Sequence, residues 1–129
     1  MIPMTRLIRD YCLSAVAALW RRLMRRASFI AVTGSYGKTT ATQCLGTILA
    51  ESGPTNFEPM ASNSRAGLAK VILRTRPRHR FTPIEVGTNK PGGLWRAAWM
   101  IHPDIVVVLA VGDVHSNNFP DLDAIAAEK

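Results

Sequence analysis

The residues with the clearest capacity for chemistry form a glycine-rich loop between an apolar run and a helix-forming stretch. Gly34 and Gly37 allow the backbone to curl so that its N–H groups converge, and the helix that follows adds the positive end of its dipole. The Lys38 ammonium would reach terminal phosphates, and the Thr39 hydroxyl would complete a magnesium shell. The segment therefore predicts phosphate binding by eight consecutive residues: Thr33, Gly34, Ser35, Tyr36, Gly37, Lys38, Thr39 and Thr40.

The loop is a short variant of the phosphate-binding loop. The full pattern G-x-x-x-x-G-K-[ST] would have a glycine where this chain has Val32, so the sequence matches the shorter G-x-x-G-K-T. The alternative is a glycine-rich turn with an exposed lysine. The position between a strand and a helix, together with the Gly-Lys-Thr-Thr run, favours phosphate binding.

Short apolar runs alternate with helical stretches along most of the chain. This alternation predicts right-handed βαβ crossovers and a three-layer α/β fold with a mostly parallel, P-loop NTPase-like sheet. The run 104–111 lacks polar alternation, which predicts a strand covered on both faces. The predicted strands contain residues 29–32, 84–86 and 104–111, and the helices between them span 38–51, 65–74 and 92–101.

An amphipathic helix over residues 4–27 is predicted ahead of the first strand. Two neighbouring i,i+4 rows of this segment are apolar, and most of its arginines lie beside them. Two interpretations stay open: the helix packs on the domain or on a missing neighbour with its arginines in water, or it lies on an anionic membrane. The rows are Leu7, Tyr11, Ala15, Leu19 and Leu23, and Ile8, Cys12, Val16, Trp20 and Met24.

Length and composition describe one globular domain. The chain has 129 residues, of which 47% are hydrophobic and 19% charged, and this excludes a disordered tail, a collagen-like fibre and a coiled coil. Two cysteines are too few for a disulfide framework. Cys12 and Cys44 stand among apolar residues, so both are predicted to be buried, reduced thiols.

The net charge of +7 indicates an affinity for polyanions. It does not distinguish between nucleotide, anionic lipid and nucleic acid as the partner. No nucleic-acid recognition motif is present, so no nucleic-acid partner is expected. The best apolar run, 11–20, is about half the length of a membrane span. The arginines that follow it argue against a secretory signal, so the expected location is the cytoplasm, with the inner face of the membrane as an alternative.

Four segments in order resemble the Mur ligases, most of all their D-alanyl-D-alanine-adding branch. The first is the phosphate loop, and the second, 61–67, resembles a segment where the family usually has paired asparagines. The stretch Glu-Val-Gly-Thr-Asn-Lys-Pro-Gly over 85–92 is similar to the family's Glu-Leu-Gly-x-Asn-x-Pro-Gly. The fourth is a Pro-Asp strand from 103 followed by a histidine loop that ends at His115. The resemblance covers about 28–129 and implies a partial Mur ligase central domain behind a basic helix over 1–27.

The chemistry implied by the resemblance is ATP-dependent amide bond formation through an acyl phosphate, with release of ADP and phosphate. The implied cofactors are ATP and Mg²⁺. The implied partners are a carboxylate substrate, with UDP-muramyl peptide as one candidate, and an amine such as D-alanyl-D-alanine. Another carboxylate, including a polymer or a lipid-linked one at the membrane, stays open.

The same resemblance implies roles for individual residues. Thr39 and Glu85 would hold the magnesium between the β- and γ-phosphates, and His115 would help to bind a second one. Asn63 would contact phosphate or substrate, and Asn89 would brace the Glu85 loop. Lys129 stands where many family members carry a carbamylated lysine, and a free chain end is the alternative. With Lys38, the implied catalytic residues are Glu85, His115 and Lys129.

Departures from the family pattern leave two rival functions open. Tyr36 stands where the family commonly has asparagine, and the N-terminal domain, the rest of the central domain and the C-terminal domain are not seen, so a fragment with weak nucleotide binding is expected. One rival is a basic module that binds nucleotide or an anionic membrane without catalysis. The other is a generic P-loop NTPase or kinase, in which Asp113 could serve as the metal ligand.

Overall fold

A computed structural model describes residues 4–58, 63–112 and 119–129, except the side chain of Arg6. The elements follow one another in the order α1 (Met4–Leu23), β1 (Ser28–Thr33), α2 (Lys38–Ser52), α3 (Arg65–Arg74), β2 (Phe81–Glu85), α4 (Gly93–Ile101), β3 (Ile105–Val108) and α5 (Leu122–Glu128).

The three strands form one parallel sheet in the order β2-β1-β3. Ser28 of β1 aligns with Phe81 of β2, and Thr33 aligns with Val108 of β3, so the carboxyl ends of all three strands lie at one edge. The loop after β1 carries the predicted phosphate-binding residues, and the loop after β2 follows Glu85 and contains Asn89. The α/β prediction is confirmed.

Helices cover both faces of β1. Phe29 and Ala31 point into a hydrophobic cluster shared with α1, α3 and α4, and the alternate residues Ile30 and Val32 are buried towards the other face, where α2 packs on β1 and β2. Because α1 supplies Ala17 and Ala18 to this cluster, it packs on the sheet domain. The division of the chain at residue 27 stays a prediction.

The face through which α1 packs differs from the apolar rows of the sequence. Ser14, Ala17, Ala18 and Arg21 are buried, whereas Leu19 and Leu23 are 63% and 61% exposed. The small residues allow close packing against α3. Of the two apolar rows, only Trp20 and Met24 are packed, at the end of the helix.

Arg21 makes the buried contact that holds α1 to the far end of α4. Its guanidinium donates to the carbonyl oxygens of Ile101 and His102 and, over 2.9 Å, to the carboxylate of Asp104, and it lies over the ring of Phe29. The Asp104 carboxylate also accepts the backbone N–H of Phe29. This arginine therefore ties α1, α4 and the start of β1 together.

Three predictions about burial and extent were wrong. The prediction that β3 is covered on both faces fails because β3 is an edge strand in the described part of the chain, and Ile105, Val106 and Val108 are each more than half exposed. Cys12 and Cys44 are exposed, since they lie on the outward faces of α1 and α2. The first helix ends at Leu23, four residues early, where a turn closed by the Ala27 N–H and the Met24 carbonyl begins.

Helix α5 was not predicted. Its first turn is capped by Asp121, whose carboxylate accepts the N–H of Ala124, and its end is held by Glu128, which accepts the N–H groups of Gly92 and Leu94. The Asp121 cap is a signal that the sequence offered. The Glu128 contact joins positions far apart in the chain, so no local pattern indicates it.

Candidate functional site

The phosphate loop is a tight curl between β1 and α2 that only glycine fits at two positions. Gly34 has a φ of +142° and Gly37 a φ of +77°. A Cβ atom on Gly34 would lie 2.8 Å from the Cβ of Leu109. Ser35 fixes the loop to the chain after β3, because its hydroxyl exchanges two 2.9 Å hydrogen bonds with the backbone N–H and carbonyl of Gly112.

The Lys38 ammonium folds back over the loop. It donates to the carbonyl oxygens of Gly34 at 2.9 Å and Ser35 at 3.3 Å. The charge therefore lies at the start of α2, beside the positive end of the helix dipole. Two cationic sources at one point make this loop an anion-binding position.

Glu85 connects the end of β2 to the first turn of α2. Its Oε2 accepts the Thr39 hydroxyl at 2.7 Å, and its Oε1 accepts the Asn63 amide at 3.2 Å. The side-chain oxygen of Asn63 accepts the N–H of Gly87 at 2.8 Å. Asn63 therefore holds the loop that follows Glu85. Hydroxyl, carboxylate and amide oxygens are hard ligands of the type that Mg²⁺ prefers.

These residues line one cavity of about 440 Å³ at the carboxyl edge of the sheet. Gly87 forms part of its wall, where a Cβ atom would lie 3.4 Å from the Cε of Lys38. The cavity is lined by Ser35, Lys38, Asn63, Glu85, Gly87, Thr88, Asn89, Phe119, Ile125 and Lys129.

Lys129 enters this cavity from the end of α5. Partial burial lowers the pKa of its ammonium, the nearby charge of Lys38 lowers the pKa further, and the charge of Glu128 opposes both. Glu128 also positions Lys129, because its own carboxylate is bonded to the start of α4. Sequence reasoning missed Glu128, although it is adjacent to a predicted site residue.

The structure brings most of the predicted residues together. Lys38, Glu85, Asn63, Asn89 and Lys129 share the cavity, and Thr39 reaches it through Glu85. His115 lies outside the described residues, as does Asp113. Of the remaining predicted loop residues, Thr33 is buried at the end of β1, and Tyr36 and Thr40 are exposed.

In the described ranges, no three His, Cys, Asp or Glu side chains cluster as a metal site. The oxygen set around Glu85 has one carboxylate, and a magnesium ion that is shared with substrate phosphates needs only one or two. The residues present therefore fit magnesium held jointly with a nucleotide better than an all-protein metal cage.

A larger cavity of about 530 Å³ adjoins the first and shares with it Asn63, Gly87, Thr88 and Asn89. Its other walls come from α1, α3 and α4. They carry three aromatic side chains, Tyr11, Trp95 and Trp99, and three basic ones, Arg65, Lys90 and Arg96. Arg65 stacks on the Tyr11 ring at 4.1 Å.

Comparison with known proteins gives one consistent family. The Mur ligase middle domain matches residues 32–129. UDP-N-acetylmuramoyl-tripeptide–D-alanyl-D-alanine ligase of Borreliella burgdorferi is 33% identical over 125 residues, which are 95% of this chain and 27% of the relative. The Escherichia coli protein of the same name is 29% identical over 87% of this chain and 25% of its own length.

Solved structures agree. A crystal structure of MurF from Acinetobacter baumannii superposes with a TM-score of 0.87 at 28% identity, over 93% of this chain and 26% of that one. A second crystal structure of the same protein superposes with a TM-score of 0.84. The chain thus spans about a quarter of the length of the relatives that it matches. A middle-domain match over most of the chain, with the same fold in solved relatives, shows that the chain belongs to the Mur ligase family.

Proposed function

We propose that this chain binds ATP and serves an ATP-dependent ligation of a carboxylate to an amine, in the cytoplasmic synthesis of peptidoglycan precursors. The observation that carries the proposal is the cavity in which the phosphate loop, the Lys38 ammonium and the Thr39–Glu85–Asn63 network meet in a Mur ligase middle domain.

The triphosphate of ATP would lie over the loop. Lys38 would exchange its hydrogen bonds to the Gly34 and Ser35 carbonyls for phosphate oxygens, and the N–H groups at the start of α2 would face the same charge. The Lys38 ammonium and the N–H groups of α2 would offset the repulsion between an anionic triphosphate and an anionic carboxylate.

Thr39 and Glu85 would hold Mg²⁺, with Asn63 keeping the Glu85 carboxylate in place. Bound magnesium would neutralise part of the phosphate charge. A second magnesium near His115 stays a prediction.

The reaction has two steps. A carboxylate oxygen of the acyl donor attacks the γ-phosphorus of ATP, the bond to the β,γ-bridging oxygen breaks, and ADP leaves with that oxygen. The amine nitrogen then attacks the carbonyl carbon of the acyl phosphate, phosphate leaves, and the amine gives up a proton. The protein's contribution is positioning and electrostatic stabilisation, since neither step needs a covalent bond to the chain.

The larger cavity supports an acyl donor that is both ring-bearing and anionic. Aromatic faces stack on sugar or base rings, and Arg65, Lys90 and Arg96 suit phosphate or carboxylate groups. Because it shares a wall with the Lys38 cavity, a bound donor could present its carboxylate to the γ-phosphate. UDP-muramyl peptide has this chemistry, and D-alanyl-D-alanine is the proposed amine, as the names of the relatives indicate.

Magnesium-dependent ATP binding tests the proposal and separates it from a generic P-loop NTPase. Binding of a fluorescent ATP analogue is measured with Mg²⁺ and with EDTA for Glu85→Ala and Asp113→Ala. The proposal expects Glu85→Ala to remove the gain in affinity given by Mg²⁺. Loss of that gain in Asp113→Ala alone would overturn the ligase-type metal site.

A further inference from the structure

Helix α1 presents an apolar stripe to solvent on the side opposite its packed face. This outer face of α1 consists of residues at helical spacing, each exposed, and the five largest are more than half exposed. Nothing among the described residues packs over it. Its members are Met4, Ile8, Cys12, Val16, Leu19 and Leu23.

An arginine cavity of about 250 Å³ lies at the end of the same face. Its wall is formed by three arginines and no acidic residue, together with apolar neighbours: Leu23, Met24, Arg25, Arg26, Ala27, Arg76 and Pro77. Leu23 belongs both to the outer face and to the cavity wall. The apolar stripe and the cationic cavity are therefore one continuous surface.

The neighbouring loop strengthens the positive field. Burial lowers the pKa of His79, and the charges of Arg78 and Arg76 lower it further. An anion placed among these groups would relieve the repulsion. Guanidinium groups suit phosphate in particular, because their paired N–H groups match two of its oxygens.

We propose that α1 lies along an anionic lipid bilayer, with its outer face at the acyl boundary and a lipid phosphate in the arginine cavity. An apolar stripe flanked by arginine is the pattern of helices that lie in a membrane interface. Among the described residues, no helix is long and apolar enough to cross a bilayer.

Charge favours lipid over a second copy of this chain as the occupant. The chain carries a net charge of +7, so two copies repel each other, whereas an anionic bilayer attracts the chain. Leu19 and Leu23 would contact the acyl chains of a bilayer, and Arg26 would contact its phosphates.

The test is sedimentation of the 129-residue chain with vesicles of phosphatidylcholine, with and without phosphatidylglycerol. Binding should require the anionic lipid and weaken as salt is raised. Leu19→Glu should abolish it, whereas Ile48→Glu, at the same 63% exposure on α2, should bind as the parent does. Urea unfolding shows that each variant is folded, which is expected because both side chains are exposed.

A second pair of variants tests the arginine cavity. Arg25→Gln combined with Arg26→Gln should weaken vesicle binding about 25-fold, from about five-fold for each arginine near an anionic surface. Lys70→Gln combined with Arg96→Gln makes the same change in net charge at exposed residues outside the cavity and should have a smaller effect.

Three results would overturn the proposal. The first is equal binding to neutral and anionic vesicles, or none to either. The second is equal loss in the test and control variants, which would mean that only overall charge matters. The third is a dimer in analytical ultracentrifugation that Leu19→Glu dissociates, which would assign the outer face of α1 to a second copy.

Discussion

At the residue scale, the site depends on a few positions whose roles follow from their contacts. The glycine spacing and the Lys-Thr pair predicted the phosphate loop, because loop and helix start are adjacent in the chain. The Thr39–Glu85–Asn63 network joins three separate segments, and only the family resemblance pointed to it. The support of Lys129 by Glu128 was found only in the structure, since it depends on where α5 meets α4.

Gly34→Ala should cost more stability than Gly92→Ala. Both glycines have positive φ, which costs an alanine about 1 kcal/mol. Only at Gly34 would the new Cβ also meet the Leu109 backbone, at 3.2 Å, whereas nothing lies within 4 Å at Gly92. Urea unfolding should therefore give the larger loss of free energy of unfolding for Gly34→Ala. Equal losses would show that the close approach of Leu109 is not a constraint.

Lys129 should react with carbon dioxide more readily than an ordinary lysine. Carbon dioxide combines with the neutral amine, and burial and Lys38 lower the pKa of Lys129, so the neutral fraction at a given pH is raised. A carbamate signal in ¹³C NMR with labelled bicarbonate should grow as pH rises through the lowered pKa. It should vanish in Lys129→Gln and persist in Lys90→Gln. Its absence from the parent chain would leave Lys129 as an ordinary ammonium.

The same shift sets the sign of the contribution of Lys129 to stability. Because its pKa is lower in the folded chain than in the unfolded one, the unfolded state binds more protons between the two values. Burial of the charged ammonium therefore destabilises the folded chain fully below the folded-state pKa, and this destabilisation is lost as pH rises from the folded-state pKa to the unfolded-state pKa. Lys129→Gln should remove this alkaline rise in the free energy of unfolding.

At the element scale, the order and type of β1, α2, α3, β2, α4 and β3 were predictable because each has its own hydrophobic period. The face through which each element packs was not predictable in this way. The apolar rows of α1 indicated a packed stripe, yet α1 packs on α3 through small residues and is held to the end of α4 by a buried Arg21. The predicted burial of β3 was wrong for a similar reason. Whether a strand is covered on both faces depends on neighbouring elements, which the strand's own residues do not specify.

Arg21→Lys should destabilise the chain by about 2–4 kcal/mol, since a lysine cannot reproduce the several hydrogen bonds that the buried guanidinium donates to His102 and Asp104. Arg26→Lys, at an exposed position near the end of α1, should change the free energy of unfolding by less than about 0.5 kcal/mol. Chemical denaturation of both variants measures the difference. A small loss in Arg21→Lys would mean that α1 is held by apolar packing alone.

At the scale of the whole molecule, the sheet gathers residues 46 positions apart at one edge, so that the Thr39 hydroxyl meets the Glu85 carboxylate. Parallel strands make this convergence a consequence of topology, because every β-to-α loop leaves from the same edge. The cavity that contains Lys38 lies at that edge, whereas the arginine cavity lies between the end of α1 and the start of β1. The two surfaces can therefore be altered independently.

A magnesium site shared by Thr39 and Glu85 is tested by a double-mutant cycle. The affinity for ATP is measured for Thr39→Val, Glu85→Gln and the double variant, with Mg²⁺ and with EDTA. If both side chains hold one magnesium ion beside the phosphates, the losses in Mg²⁺ should be strongly non-additive, with a coupling of about 1 kcal/mol or more that falls sharply in EDTA. Additive losses, or the same coupling in both solutions, would contradict a shared metal and leave the two residues joined only by their hydrogen bond.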